Sequence, residues 1–466
     1  MDKYAIRNKA LGAVIGSAVG DALGAPFEFG EPGEYSDRFP KPVVGDIGEM
    51  IGGRGWKPGE FTDDTQMALA QAESLLAHHG IDEADMFQRF QIWASRAADV
   101  GNQTRAVLGS GLPWETAAAD HFERTPRGAA GNGSLMRSAA SAVFFSRGTL
   151  EESMEAAHRL SALTHGDPAA GWGTAIYHAM IHAELNGDRA LDVLPSVLTG
   201  LPDDQFRFRE MLSPTWKPSD SDLSNGTVWT CLAQAVWAVR GATNFEGAVV
   251  RAIDLGHDTD TVAAVAGGLA GAIHGIQRIP SRWTTYINGR VQHADGEHRY
   301  RLADLQNLTL SLIGNGAKPE ERPAAAVGPT EIVDGVYAAN LEGAADVPTD
   351  WAVISLCRVG DRFHDHPMRR ELYLVDDSAG QNGALHAAVE DAAESIDAFR
   401  AEGRKVVVHC HMGASRTGLV LRAWLVRHDA MTTDEATSFV ADRWSLLDST
   451  TNTSFAAFLR DDWAPR

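Results

Sequence analysis

The sequence predicts a multidomain chain with two fold classes, an all-α domain over residues 1–315 and an α/β domain over residues 331–466. In the first 315 residues, apolar side chains recur at helical spacing. After residue 331, short runs rich in Val and Ile alternate with helical segments. Residues 316–330 combine Gly, Pro and charged residues without periodicity, which is typical of a linker.

Composition excludes several classes of protein. With 466 residues and 44% hydrophobic residues, the chain can bury a core, so wholesale disorder is excluded. The formal net charge of −21 argues against a basic coat for nucleic acid or an anionic membrane. Three cysteines cannot form a disulfide framework. We find neither an uncharged apolar stretch of about 18 residues nor a leader, so we expect a cytoplasmic protein without a membrane partner.

Local periodicity defines the predicted elements. The first domain has five helical segments rich in Ala and Gly, which allow close packing of helices: 67–79, 153–163, 169–185, 228–242 and 261–275. The second domain has three predicted strands, at 351–357, 371–376 and 405–410, and two predicted helices, at 385–403 and 416–428. Their alternation predicts a largely parallel sheet.

The segment KVVVHCHMGASRTG predicts a strand, a glycine-containing loop and a helix, with Cys410 at the end of the strand and Arg416 at the start of the helix. Backbone N–H groups and the helix N-terminus can surround a tetrahedral anion, and Arg416 can bind two phosphate oxygens. These positive surroundings favour Cys410 as a nucleophile, and Thr417 offers a hydroxyl to its sulfur. The alternative is an inert buried cysteine beside a turn.

Over residues 331–466 the sequence resembles the Cys-dependent protein tyrosine phosphatases, particularly the dual-specificity class. The resemblance implies attack by Cys410 on a phosphomonoester, a phosphocysteine intermediate held by Arg416, and hydrolysis. It also implies an aspartic acid that protonates the leaving group. Asp377, five residues before Asn382, matches the family's spacing better than Asp376, which can instead cap or end the strand.

Acidic and hydroxyl side chains gather in three segments of the first domain. These are FTDDTQMALA with Thr62, Asp63 and Asp64, GHDTDTVAAVAGG with Asp258, Asp260 and Thr261, and GDALGAPFEF with Asp21 and Glu28. A helix N-cap needs only one such residue, so capping alone does not account for them. Clustered oxygens without nearby Cys suit a hard cation. Two helix starts that meet in space can hold two Mg²⁺ ions about 3.5–4 Å apart.

These segments, with GNGSLMRSAA and LTHGDPAAGWGT, resemble in order the motifs of the ADP-ribosylglycohydrolase family, which includes the dinitrogenase reductase-activating glycohydrolases. The resemblance covers nearly all of residues 5–280 and implies a compact all-α fold with a dinuclear Mg²⁺ site. It places Glu28 at the family's catalytic or gating glutamate. It implies six metal ligands, Thr62, Asp63, Asp64, Asp258, Asp260 and Thr261.

The segment GNGSLMRS at 131–138 reads as a turn in which Gly131 and Gly133 let backbone N–H groups approach a ligand. Asn132 and Ser134 add polar side chains, and the resemblance supports contact with a diphosphate. His165, in the THGD segment, borders the ligand ribose by resemblance, or is a structural histidine.

Together these features predict a bifunctional hydrolase. One site would cleave the bond from ribose C1″ through an oxocarbenium-like state, with Mg²⁺ orienting hydroxyls and water. The base is Glu28, Asp63 or Asp260, and the acceptor stays open between arginine, serine, a nucleotide base and a small molecule. Expected partners are an ADP-ribosylated protein or ADP-ribose conjugate and a phosphorylated protein or small-molecule phosphate, with nucleic acid only as an ADP-ribosylated substrate. The alternatives are that one domain only binds ADP-ribose or a phospho-ligand, or that both process a phosphorylated ADP-ribose metabolite in sequence.

Overall fold

The computed structural model describes residues 2–126, 128, 130–315 and 324–463, which form two compact units. The first unit comprises Met1–Lys41, Met50–Ile279 and Tyr286–Ala317, and the second comprises Pro42–Glu49, Pro280–Thr285 and Lys318–Arg466. Two short segments that the sequence places in the first domain are therefore part of the second unit. Residues 316–323 of the predicted linker lie outside the described residues.

Helices make up most of the first unit, and each of the five predicted helical segments overlaps an observed helix. The helices are α1 (Lys3–Gly24), α2 (Glu34–Arg38), α3 (Asp63–His78), α4 (Glu83–Ala94), α5 (Asn102–Leu108), α6 (Trp114–Arg124), α7 (Ala139–Phe145), α8 (Leu150–Ala162), α9 (Pro168–Asn186), α10 (Ala190–Thr199), α11 (Phe206–Met211), α12 (Val228–Arg240), α13 (Phe245–Ile253), α14 (Thr259–His274) and, after α15 of the second unit, α16 (Leu302–Leu312).

The first unit also contains a β-hairpin that the sequence did not predict. Strands β1 (Asn288–His293) and β2 (Gly296–Arg301) pair antiparallel through their whole length. Their polar sequences, NGRVQH and GEHRYR, lack the alternation of apolar residues that marks a half-buried strand. The all-α class therefore describes the bulk of this unit but not this hairpin.

Close contact between α1 and α14 forms the centre of the first unit. Glycines recur at every fourth position of α1, at 12, 16, 20 and 24, and therefore lie on one face of the helix. A Cβ atom on Gly12 would lie 2.1 Å from the carbonyl oxygen of Gly271, and one on Gly16 would lie 2.5 Å from that of Gly267. The two backbones touch because no side chain intervenes.

By length and composition alone, Lys3–Phe27 could cross a membrane, with a mean hydropathy of 1.4 in its most apolar window. However, 94% of that window is buried inside the protein. A central helix that is surrounded by other helices is expected to be apolar on all sides.

The second unit is built around a five-stranded, largely parallel sheet in the order β3-β4-β7-β5-β6. Its strands are β3 (Thr330–Val333), β4 (Val336–Asn340), β5 (Ala352–Ser355), β6 (Arg369–Glu371) and β7 (Val406–Cys410). Its helices are α15 (Ser281–Thr284), α17 (Leu341–Ala344), α18 (Leu385–Ala401), α19 (Ser415–His428), α20 (Thr433–Ala441) and α21 (Thr453–Ala457). Every residue of the central strand β7 is buried, which explains its continuous run of valines.

Two features of this sheet differ from the prediction. The strand expected at 371–376 overlaps β6 only at Glu371, where β6 ends, so residues 372–376 are not part of a strand. The antiparallel β3–β4 hairpin was not predicted, although Asp334-Gly335 between its strands is a strong hairpin signal. Gly335 has the left-handed φ of +77° that such a turn requires.

The contact between α1 and α14 predicts a large effect from one added methyl group. Gly16→Ala would place Cβ against the backbone of α14, so we expect a loss of about 1–3 kcal/mol in the free energy of unfolding. Chemical denaturation of wild type and variant measures this loss. Gly80→Ala is the control because its Cβ would meet open space. A Gly16→Ala variant as stable as Gly80→Ala would contradict the prediction.

Candidate active sites

Three helices bring carboxylates together in the first unit. Asp21 lies near the end of α1, and Asp64 and Asp260 lie in the first turns of α3 and α14. Oxygen atoms of these three carboxylates lie within 4.8 Å of one another. A second group, Glu28, Asp258 and Asp260, meets the same limit. Asp260 belongs to both groups, so the two form one continuous acidic cluster.

Asp21 fixes the start of α3. Its carboxylate is fully buried and accepts hydrogen bonds from the backbone N–H of Thr62 (2.9 Å) and Thr65 (3.0 Å) and from the Thr65 hydroxyl (2.6 Å). The first N–H groups of a helix have no acceptor within the helix, and Asp21 supplies one from another helix. The sequence marked Asp21 as acidic but did not show this positioning role, which depends on the packing of α1.

Two buried oxygens of the cluster have no hydrogen-bond partner, namely Thr62 Oγ1 and Asp64 Oδ2. A buried polar atom without a partner costs about 1–3 kcal/mol. The Thr261 hydroxyl is a further oxygen of this cluster, because its Oγ1 lies 3.4 Å from Asp64 Oδ1. An all-oxygen donor set with unpartnered atoms fits a hard divalent cation. These residues could therefore hold a metal ion.

Burial of so many like charges raises the pKa of each carboxyl. Burial, followed by the charge of Asp99, raises the pKa of Asp63 to about 8. Burial, followed by the charge of Asp258, raises the pKa of Glu28 to about 7. The pKa of Asp21 rises to about 6 through burial, despite its hydrogen bonds from Thr65 and Thr62. The cluster therefore binds protons tightly unless a cation replaces them.

The acidic cluster opens into a cleft of about 500 Å³. The lining includes the predicted catalytic residue Glu28 and three predicted metal ligands, Asp63, Asp258 and Thr261. It also includes four of the predicted substrate residues, Gly131, Asn132, Gly133 and His165. Thr62, Asp64 and Asp260 are buried outside this lining. The structure thus brings together residues that lie far apart in the sequence.

Asn132 orients Asp258. Its side-chain amide donates to Asp258 Oδ2 at 2.7 Å and to the carbonyl oxygen of Asn225 at 3.0 Å. The Asn225 side chain in turn accepts from the backbone N–H of Asp258 at 3.3 Å. The Asn132 amide group, predicted to contact substrate, is therefore committed to a carboxylate. Asn225 was not predicted, because no motif surrounds it.

Ser134 and His165 also differ from their predicted surroundings. Ser134 does not line the cleft; its buried hydroxyl accepts from Ser161 at 2.8 Å. The His165 ring lies against the glycine loop, since a Cβ on Gly133 would be 3.0 Å from its Cε1. Burial lowers the pKa of His165 to about 3, so the ring is neutral. A side chain at position 133 would therefore crowd this ring.

Asp99 is a lining residue that the sequence analysis missed. It stands alone in the loop between α4 and α5, without a motif. Its charge raises the pKa of both Asp63 and Glu28, so it lies close to the acidic cluster.

In the second unit, Cys410 ends the central strand and is buried. The loop after it is braced by Trp444, whose indole N–H donates to the carbonyl oxygen of Gly413 at 2.7 Å. Gly413 has a φ of +76°, and a Cβ there would lie 3.0 Å from the Trp444 ring. This contact fixes the path of the loop from Cys410 to α19.

Three potential donors at the start of α19 are buried and make no hydrogen bond, namely Ser415 Oγ, Arg416 Nε and Thr417 Oγ1. Arg416 also donates through one terminal nitrogen to the carbonyl oxygens of Leu356 (3.0 Å) and Leu374 (3.2 Å). Converging donors at a helix N-terminus suit an anion. The predicted hydrogen bond from Thr417 to the Cys410 sulfur is not formed, because Thr417 Oγ1 has no partner.

Geometry distinguishes the two candidate acids. Asp376 Oδ2 lies 3.7 Å from Arg416 Nε, and its other oxygen accepts from Asn452 at 3.0 Å. The Asp377 carboxylate instead accepts from the backbone N–H of Ala379 at 2.8 Å, which stabilises a local turn. The spacing to Asn382 along the sequence favoured Asp377, whereas in the structure Asp376 lies beside Arg416.

The raised pKa values predict how pH affects the metal-free first unit. A carboxyl whose pKa is higher in the folded than in the unfolded chain stabilises the folded state only while protonated. This contribution is lost as pH rises through the folded pKa values, about 6 for Asp21, about 7 for Glu28 and about 8 for Asp63. In EDTA, we expect the melting temperature to fall from pH 6 to pH 8, because over this range folded Glu28 and Asp63 still hold protons that the unfolded chain has already released.

The control for this experiment is Asp63→Asn, which removes one titrating carboxyl and should lose less stability over the same range. Added Mg²⁺ competes with protons and should raise the wild-type melting temperature more at the higher pH. A wild-type melting temperature no more pH-dependent than that of Asp63→Asn would contradict this account.

Comparisons with known proteins identify two families along the chain. A model of the ADP-ribosylglycohydrolase family matches residues 2–317, and one of the dual specificity phosphatase catalytic domain matches residues 361–461. The chain is 33% identical to ADP-ribosyl-[dinitrogen reductase] glycohydrolase of Rhodospirillum rubrum, over 62% of this chain and 92% of that protein. It is 31% identical to ADP-ribosylarginine hydrolase Tri1 of Serratia proteamaculans, over 59% of this chain and 74% of that protein.

A solved structure titled ADP-ribosylglycohydrolase-related protein complex superposes with a TM-score of 0.50 at 30% identity, covering 67% of this chain and 99% of that one. The family match covers more than half of the described chain and includes the whole acidic cluster. The chain is a hydrolase that belongs to the ADP-ribosylglycohydrolase family and carries a dual specificity phosphatase catalytic domain after it.

Proposed function

We propose that the first unit hydrolyses the bond between ribose C1″ of ADP-ribose and an arginine side chain on a protein. The observation that carries this proposal is the pair of unpartnered oxygens, Thr62 Oγ1 and Asp64 Oδ2, beneath a cleft with a glycine loop. Arginine is favoured as the acceptor because the Serratia relative is named an ADP-ribosylarginine hydrolase.

The metal of this site is proposed to be Mg²⁺, as two ions. Six residues would hold them, namely Thr62, Asp63, Asp64, Asp258, Asp260 and Thr261. When bound, such ions position ribose hydroxyls and lower the pKa of water. The chain itself holds these oxygens in place. Asp21 accepts a hydrogen bond from the start of α3, and Asn132 donates one to Asp258.

Glu28 is the best candidate for proton transfer. It lines the cleft and is not one of the proposed metal ligands, so its carboxylate is free to accept and release a proton. Asp63 and Asp260 are more deeply buried and are better suited to holding a cation. The loop at 131–133 lacks Cβ atoms at two positions and is proposed to receive the diphosphate.

The second proposed activity is hydrolysis of phosphomonoesters at Cys410. Its sulfur would attack phosphorus while an aspartic acid protonates the departing oxygen. Water would then cleave the phosphorus–sulfur bond, with the same aspartate accepting a proton. Ser415, Arg416 and Thr417 support this proposal. Each has a buried donor that makes no hydrogen bond within the protein, and a phosphate would accept from it.

The proposed partners are an ADP-ribosylated protein and a phosphorylated protein or small-molecule phosphate. A cytoplasmic location remains a prediction. It is supported by the three cysteines, which are all free.

Two substitutions should separate the two activities. Asp63→Asn should lower release of ADP-ribose from an ADP-ribosyl-arginine peptide at least about 100-fold and leave p-nitrophenyl phosphate hydrolysis unchanged. Cys410→Ser should have the reverse effect, since the serine hydroxyl is a far weaker nucleophile. EDTA should reproduce only the Asp63→Asn result.

The controls are Asp295→Asn, an exposed acid of the first unit, and Cys357→Ser, another buried cysteine of the second unit. If either active-site substitution abolished both activities in a folded protein, the assignment of two independent sites would be wrong.

The aspartic acid of the phosphatase site can be identified with aryl phosphates of increasing leaving-group pKa. We expect Asp376→Asn to slow turnover by about 100-fold for poor leaving groups and less for good ones, since only poor ones need protonation. Asp377→Asn should change rates less than about threefold by the same reasoning. The opposite ranking would restore Asp377 as the acid.

A further inference from the structure

We propose that Phe29 forms the acceptor side of the first-unit cleft, where its ring stacks on the guanidinium of the ADP-ribosylated arginine. This inference rests on the proposed function and adds a specificity-determining residue to it. It is carried by the exposure of Phe29, its backbone conformation and the charge of the cleft.

Phe29 is an exposed aromatic residue beside the acidic cluster. Two residues earlier, Phe27 is buried against Tyr35, with ring centroids 5.3 Å apart. Phe29 in contrast is 74% exposed, although it lines the cleft. An exposed lining residue lies at the mouth, and Glu28, immediately before it, reaches Asp258 and Asp260. The ring thus belongs to the residue that directly follows a member of the acidic cluster.

The backbone holds Phe29 in an uncommon conformation. Its φ is +58°, and that of the facing His257 is +63°, both in the left-handed region that non-glycine residues seldom adopt. The Phe29 N–H donates to the His257 carbonyl oxygen at 2.6 Å, and the His257 N–H donates to that of Gly30 at 3.0 Å. Such conformations persist where the surroundings impose them and cluster at ligand sites.

The charge of the cleft indicates what the ring contacts. Two lining acids, Glu28 and Asp99, are not among the proposed metal ligands, and the described lining residues include no Lys or Arg. Arg54 is near Glu28 but donates its Nε to the carbonyl oxygen of Pro26 at 3.2 Å and does not line the cleft. Carboxylates beside an exposed ring favour a planar cation, which stacks on the ring face. ADP-ribose is anionic, so the cationic part of the substrate is the arginine.

The experiment compares substrate with product. We expect Phe29→Ala to raise KM for an ADP-ribosyl-arginine peptide about tenfold with a smaller change in kcat, while Phe29→Tyr, which keeps the ring, stays within about twofold of wild type. The inhibition constant of free ADP-ribose, which lacks the acceptor, should not change. Phe206→Ala is the control because Phe206 is exposed in the same unit but does not line the cleft.

Each other outcome overturns a defined part of the proposal. An unchanged KM in Phe29→Ala would overturn the stacking while the proposed function stands. A parallel weakening of ADP-ribose inhibition would assign the ring to adenine instead of the acceptor. Wild-type protein that releases no ADP-ribose from the arginine peptide, but does so from a serine conjugate, would overturn the arginine acceptor and the stacking with it.

Discussion

The first unit depends on the direct backbone contact between α1 and α14. Glycines spaced by four residues let the two helices approach until carbonyl oxygens of one meet Cα atoms of the other. This approach sets Asp21 of α1 beside Asp260 of α14, and Asp21 then holds the start of α3 and with it Asp64. The acidic cluster is therefore a consequence of helix packing, because any side chain at these glycines would separate the helices that carry the carboxylates.

Both units have their candidate site at the start of helices, but the two sites suit ions of opposite charge. In α3 and α14, first-turn aspartates occupy the positive end of the helix dipole, and they leave a buried excess of negative charge that a cation can neutralise. In α19, the first turn carries Ser415, Arg416 and Thr417, and it leaves the positive end open to an anion. The same helix end thus serves a cation site or an anion site, depending on its first residues.

The sequence was sufficient for features that are local along the chain. Helical periodicity predicted the main helices, and the first-turn motifs singled out Asp64, Asp258 and Asp260, which lie in one acidic cluster. It could not show the commitment of Asn132 to Asp258, the burial of Ser134 or the place of Asp99, because these depend on contacts between distant segments. Spacing also could not choose between Asp376 and Asp377, since β6 ends at Glu371 and the alternation of a strand no longer applies. The polar hairpin β1–β2 lacked any periodic signal.

The second unit is built from chain segments on both sides of the linker, and this bears on how such a protein can be assembled by gene fusion. The buried guanidinium of Arg370 in β6 donates to the carbonyl oxygens of Val44 and Asp46, and Asp391 in α18 accepts from the backbone and hydroxyl of Ser281. These partners come from chain segments that precede the linker by tens to hundreds of residues. Recombination at the linker would therefore separate Arg370 and Asp391 from these partners.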